Sequence, residues 1–184
     1  MNVALETSER FDREVMPHLD AAYNLARWLT GDEHDGQDIV QESFLRAMRG
    51  FDTFRGGDAR CWLLTIVRNT YYTWLARKRG PREPLFVDDD DLFELPSDAP
   101  DPSAAAIRRA DQQMLREAIE QLPPQYREMI VLRELEGLSY KEISTVASVP
   151  IGTVMSRLAR ARRVLAERVS GAVASAAPHE REEV

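Results

Sequence analysis

The sequence predicts an all-α protein: two small helical domains joined by an acidic, proline-rich linker. Apolar residues recur at intervals of three and four through residues 8–80 and 104–170, and nothing alternates with the period of two that marks a half-buried strand. Between these stretches, residues 81–103 gather prolines and acids in a composition that no regular helix accommodates. A chain of 184 residues that is 43% hydrophobic and 30% charged has material for one or two modest cores.

In the first domain, Leu19, Ala22, Tyr23, Ala26 and Leu29 define one apolar face. Gly31 suits the end of that helix, and Asp32 or Asp35 suits the cap of the next. Ile39, Val40, Phe44, Ala47 and Met48 form its stripe, which Gly50 and the Gly56-Gly57 pair interrupt. After the loop FDTFRGGD, a long helix carries Trp62, Leu63, Ile66, Val67, Thr70, Trp74 and Leu75 inward. It ends in Arg77, Lys78 and Arg79, cations that suit the negative end of a helix dipole.

The linker follows. From Glu83 to Ser103 it holds Asp88, Asp89, Asp90 and Asp91 among its acids, Pro84, Pro96, Pro100 and Pro102 among its breakers, and no Lys or Arg. Consecutive aspartates in an extended strand converge poorly on one ion, and no glycine-punctuated calcium loop surrounds them, so no metal site is expected there.

In the second domain, Ile107, Ala110, Met114, Leu115, Ala118, Ile119 and Leu122 form a stripe up to Pro123-Pro124, which stop and restart the chain. Tyr126, Met129, Ile130 and Leu135 continue it, and Gly137 ends that helix. Ser139 and Glu142 have the spacing of a capping box for a short helix bearing Ile143 and Val146. The turn 147–150 leads into a last helix lined by Ile151, Val154, Leu158, Ala161 and Leu165. Short helix, tight turn and long helix make a helix-turn-helix signature, and residues 171–184 are left as a tail. Thr153, Ser156, Arg157, Arg160 and Arg163 recur on the opposite face of the last helix. Short hydroxyls and arginines there suit base edges and phosphates in a major groove.

Net charge is −7, which on its face argues against a polyanionic partner. Its distribution reverses that: residues 59–82 carry Arg60, Arg68, Arg77, Lys78, Arg79 and Arg82 and no acid. No apolar run is long enough for a membrane span and the N-terminus lacks the order of a signal peptide, so a cytoplasmic chain without membrane insertion is expected. Cys61 is the single cysteine, without a second thiol for a disulfide or shared metal, and reads as a packing residue. His18, His34 and His179 stand at no catalytic spacing and no phosphate-binding glycine loop occurs, so neither enzymatic activity nor a cofactor is expected.

The string LSYKEISTVASVPIGTVMSRLARARRVL resembles the DNA-binding helix-turn-helix of extracytoplasmic-function (ECF) sigma factors. DGQDIVQESFLRA resembles that family's polymerase-binding helix, and FDTFRGGDARCWLLTIVRNTYYTWLARKR its promoter-melting loop and helix. The resemblance implies an alternative sigma factor acting in a stress or environmental response. Its partners would be core RNA polymerase, through the largest-subunit clamp helices and the upstream flap, then promoter DNA, and an anti-sigma factor. Residues 8–80 would bind core and the minus-ten element, and residues 104–170 the minus-thirty-five element.

On this reading Asp38, Gln41, Glu42 and Leu45, which share a helix face, meet polymerase; without the resemblance they make an ordinary solvated face. Phe54, Arg55, Asn69, Tyr72, Arg77 and Lys78 meet the minus-ten DNA. Phe54 is either part of a pocket for an unstacked base or a core plug like Phe51. Trp62 and Trp74 read as packing, whereas Tyr72 falls off the stripe and is open to stacking on single strands. Thr153, Met155, Ser156, Arg157, Arg160 and Arg163 meet the minus-thirty-five DNA, Met155 standing where many relatives carry a cation. The acidic linker is expected to thread a basic polymerase channel that later holds RNA. A dimeric operator-binding regulator and a sigma-like decoy for an anti-sigma factor are the rival readings.

Overall fold

The computed structural model describes residues 2–80 and 104–176, so the acidic run Asp88–Asp91, the rest of the linker and His179 lie outside the described residues. Among the described residues every regular element is helical.

Helix α1 (Asn2–Glu14) precedes a single 3-10 turn at Met16–His18, then α2 (Leu19–Thr30), α3 (Glu33–Gly50) and α4 (Ala59–Arg79). The last three pack on one another in pairs. Gly31 closes α2 with φ 71°, a left-handed conformation that glycine adopts without the Cβ penalty. Asp32 then caps α3, accepting from the Asp35 backbone N–H at 2.9 Å, so of the two candidate aspartates it is Asp32 that caps. Asp58 caps α4 in the same way through the Cys61 N–H at 3.0 Å. Leu25, Leu29, Phe51, Leu63, Leu64 and Tyr71 fill the resulting core.

Helix α5 (Ala104–Glu120) leads through the proline pair to α6 (Pro124–Ile130), which continues as a π turn over Val131–Leu135. Helix α7 (Tyr140–Ala147) opens on the expected capping box. The Glu142 N–H donates to Ser139 Oγ at 3.3 Å, and the Ser139 N–H donates to Glu142 Oε2 at 2.6 Å. Ser148, at φ 54°, turns the chain into α8 (Ile151–Ala176), and Ser144 Oγ secures the turn by donating to the Val149 carbonyl at 2.6 Å. Helix α8 runs on past residue 170, where the sequence pattern ends.

The two helical groups pack together, a point on which the linker composition is neutral. Helix α4 lies against α7, α2 lies against α6 and the π turn, and one continuous apolar cluster runs through both groups.

Several apolar positions of the sequence stripes are exposed instead: Leu19, Met48, Leu115, Leu135 and Ile151. The wider helical turn of the π segment rotates Leu135 off the α6 stripe. On α3 the buried set is Gly36, Ile39, Val40, Ser43 and Ala47, which leaves Met48 at its edge, 60% exposed. Ile107 and Ala110 lie outside the residues whose side chains are described.

Candidate nucleic-acid and polymerase interface

Helix α3 carries the first candidate surface. Asp38, Gln41 and Leu45 are exposed on its outer face, with Met48 one turn beyond Leu45. Glu42 pairs with Arg46 at 2.7 Å, and that hydrogen bond holds its carboxyl below the usual carboxylate range. Sequence reasoning assigned Met48 to the core stripe and so missed it here; its spacing of three from Leu45 was the available signal.

The second surface is α4 and the loop before it. Asn69, Tyr72, Thr73, Ala76 and Arg77, at i, i+3, i+4, i+7 and i+8 on one helix face, line a shallow groove. Arg55 and Arg77 are exposed, and Gly56 and Gly57, at φ 90° and 103°, shape the loop. Lys78 lies over the Trp74 ring, 4.5 Å from its centroid, and pairs with Asp35 at 2.9 Å, so its ammonium is already engaged within the first helical group.

Two expectations need correction here. Phe54 is buried, stacked on Phe51 at 5.8 Å between centroids and 5.0 Å from Trp62, and its carbonyl accepts from Arg10. Of the two readings of Phe54 this structure realises the core plug, because three aromatic rings close the end of the bundle. Tyr72 is also buried, at 9% exposure, because the second helical group covers it. It donates its hydroxyl to Glu128 Oε2 at 2.8 Å, and burial pushes that hydroxyl's pKa well above its ordinary value.

The third surface is α8. Met155, Ser156 and Arg163 are exposed, Thr153 is half-buried, and Ser156 Oγ donates to the Thr153 carbonyl at 3.1 Å. Arg157 and Arg160, expected to point outward, are half-buried, each with its Nη1 closed off from solvent. The cause is helix phase: with Val154, Leu158 and Ala161 inward, the outermost row is Gly152, Met155, Ser156, Ala159 and Arg163.

The junction between the two groups holds polar side chains that no motif announced. Glu128, fully buried, accepts from Arg68 Nε at 2.6 Å and from Tyr72, while the Arg68 guanidinium sits 4.6 Å from the Tyr72 ring centroid. Burial raises the Glu128 carboxyl pKa against the opposing pull of Arg68 and Tyr72, and Arg157 adds a weaker downward pull. Arg60 pairs with Glu136 at 2.5 Å and also donates to its carbonyl at 2.8 Å. Arg127 donates to the carbonyls of Trp28 and Leu29 at the end of α2, and to those of Glu120 and Leu122 at the end of α5. The one available signal was an acid, Glu128, inside the apolar stripe of α6.

Asp58, Cys61 and Glu142 also converge at this junction, their ligand atoms within 4.8 Å of one another. Both carboxylates are already engaged as helix caps. Burial and the neighbouring Asp58 push the Cys61 thiol up to about 12, so it stays protonated at neutral pH. The cluster carries no metal assignment.

Among the described residues no helix is long and apolar enough to cross a membrane. The family model for Sigma-70 region 2 matches residues 15–80, and that for Sigma-70, region 4 matches residues 112–165. The chain is 34% identical to the ECF RNA polymerase sigma factor SigE of Mycolicibacterium smegmatis over 84% of its length, spanning 60% of that relative. It is 35% identical to the RNA polymerase sigma-H factor of Pseudomonas aeruginosa over 84% of this chain and 83% of that one. With the ECF RNA polymerase sigma-E factor of Escherichia coli it shares 36% identity over 73% of this chain and 74% of the relative. Among solved structures it is similar to the sigma factor RpoE of Bartonella quintana in complex with the anti-sigma factor NepR. There the TM-score is 0.67 at 30% identity, covering 88% of this chain and 98% of that one. It is also similar to CnrH in complex with the cytosolic domain of CnrY, with a TM-score of 0.60 at 25% identity, covering 89% and 90%.

Proposed function

Because this chain belongs to the ECF sigma factors of bacterial RNA polymerase, we propose a division of labour among its three surfaces. The protein is an alternative sigma factor: it binds core polymerase, directs it to particular promoters, and catalyses nothing itself. An operator-binding regulator that ignores polymerase does not account for the two sigma regions matched in order.

Residues 8–80 form the unit that docks on core through Asp38, Gln41, Glu42, Leu45 and Met48. The carboxylates suit arginines of the clamp helices, and the exposed apolar pair suits a seam between them. Helix α4 takes the minus-ten DNA through Arg55, Asn69 and Arg77, and Tyr72 and Lys78 join them once released from Glu128 and Asp35. Residues 104–170 read the minus-thirty-five element from α8 while meeting the flap of the polymerase. There Thr153, Met155, Ser156 and Arg163 approach base edges and phosphates, and Arg157 and Arg160 join them once uncovered. The linker 81–103 spans the distance between the two, and the cytoplasm, where core polymerase works, is its compartment. Complexes such as that of RpoE with NepR make an anti-sigma protein the expected regulator of this chain.

The observation that carries this reading is the groove on α4, where Asn69 and Arg77 lie exposed on a single helix face beside a row of cations. Gel filtration of the full chain with purified core is the direct test. Co-elution that is lost in the Asp38→Lys, Leu45→Ala double variant supports the assignment. Failure of the wild-type chain to co-elute would return a decoy, which binds an anti-sigma factor and not core.

A further inference from the structure

Glu128 is an uncommon core residue. Its side chain is 0% exposed, yet the partners its carboxylate finds, Arg68 and Tyr72, both belong to the other helical group, 60 and 56 residues away in sequence. A buried ion pair roughly breaks even against the cost of desolvating it, so this acid adds little to stability that an apolar side chain would not. What it does instead is occupy donors. Glu136 repeats the arrangement on Arg60, eight residues earlier on α4. Two cations of the helix that presents the promoter groove are therefore held by acids of the second domain. The charge of Arg157, on the recognition helix, also favours the ionised form of Glu128. A guanidinium and an aryl hydroxyl donating to two oxygens of one anion is the donor set that a DNA backbone phosphate accepts.

We propose that in the free chain Glu128 takes the place of a promoter phosphate on Arg68 and Tyr72, so that domain packing and capture of DNA by α4 compete for the same donors. The proposal rests on the reading of α4 as the promoter-binding helix. Competition of this kind is reciprocal: whatever factor closure takes from DNA affinity, DNA takes from closure. The free chain is then a weak DNA binder because its competent, open form is a minor fraction, and any partner that binds the open form better removes the penalty.

The test uses the full chain, a fluorescein-labelled single-stranded oligonucleotide of random sequence, and X-ray scattering of the same samples. Glu128→Gln keeps the shape of the side chain and removes its charge. It should bind the oligonucleotide about tenfold more tightly than wild type and show a larger radius of gyration. Glu134→Gln, which removes an equal charge from an exposed pair with Arg162, controls for net charge. A gain for Glu128→Gln no larger than that of Glu134→Gln overturns the proposal, whether or not the chain expands. Wild type provides a second reading should the variant misfold: saturating oligonucleotide must expand it, and binding to a chain that stays compact overturns the proposal. Failure of the functional reading looks different, because it would leave wild type unable to start promoter-specific transcription with core, whatever Glu128→Gln does.

Discussion

Arg127 donates from Nη1 to the backbone oxygen of Leu29 at 2.9 Å, fastening the second helical group to the end of α2. The same guanidinium serves the end of α5, so one side chain satisfies terminal carbonyls of two helices that have no intrahelical partners and places a cation at both negative dipole ends.

Arg127→Ala therefore destabilises the chain by about 2–4 kcal/mol, the range expected when charge-assisted bonds are lost and enclosed carbonyls are left unpaired. A lower urea midpoint at unchanged slope checks it. Arg127→Lys recovers only part of the loss, because an ammonium cannot span carbonyls on two helices.

Acid should loosen the helix starts that frame the domain junction. Hydrogen bonding lowers the pKa of Asp58, through the Cys61 N–H, and of Glu142, through Ser139. Carboxyls whose folded pKa is depressed contribute stability that is present above the unfolded value and lost as pH falls through the folded one, here below about pH 4. Burial acts on Glu128 in the opposite sense, so protonation relieves part of its cost. The Asp58→Asn, Glu142→Gln variant keeps both caps without their charges and should flatten the acid limb of a circular dichroism titration. An acid limb identical to wild type would show that other carboxyls control it.

Cys61 should resist alkylation. With its thiol pushed up to about 12, the thiolate fraction at pH 8 is about a thousandfold below that of an ordinary cysteine. Iodoacetamide labelling of native and urea-unfolded chain at that pH should differ by about that factor. Comparable rates would mean that the junction opens readily.

Replacing Arg163, exposed on α8, by Ala should weaken promoter binding of the polymerase complex almost uniformly across sequences and lower its salt slope by about one. Met155→Arg, placed in the outermost row, should instead change which upstream sequences are preferred. Both follow from comparing affinities across a promoter library at several salt concentrations.

The local architecture was legible because its signals are local. The capping box of Ser139 and Glu142, the turn at 147–150 and the stripe of α8 all lie within one stretch of chain. Glycine and aspartate likewise mark where α2 ends and α3 begins. The junction was not legible, since Arg68, Tyr72 and Glu128 pair across 56 and 60 residues with no period to reveal them. Tyr72 shows the consequence: it lies off its own domain's stripe, as an exposed residue would, and is buried by the other domain. Arg157 and Arg160 were misplaced for a related reason. The spacing that put them on one face with Ser156 left open how far Leu158 and Ala161 turn that face inward.

Run-off transcription on fragmented genomic DNA, with purified core polymerase in the presence and absence of this chain, tests the central claim most directly. The account predicts new transcript starts that share two spaced upstream motifs, lost when Asp38 and Leu45 are replaced. Folded chain and active core that yield no new starts would contradict it.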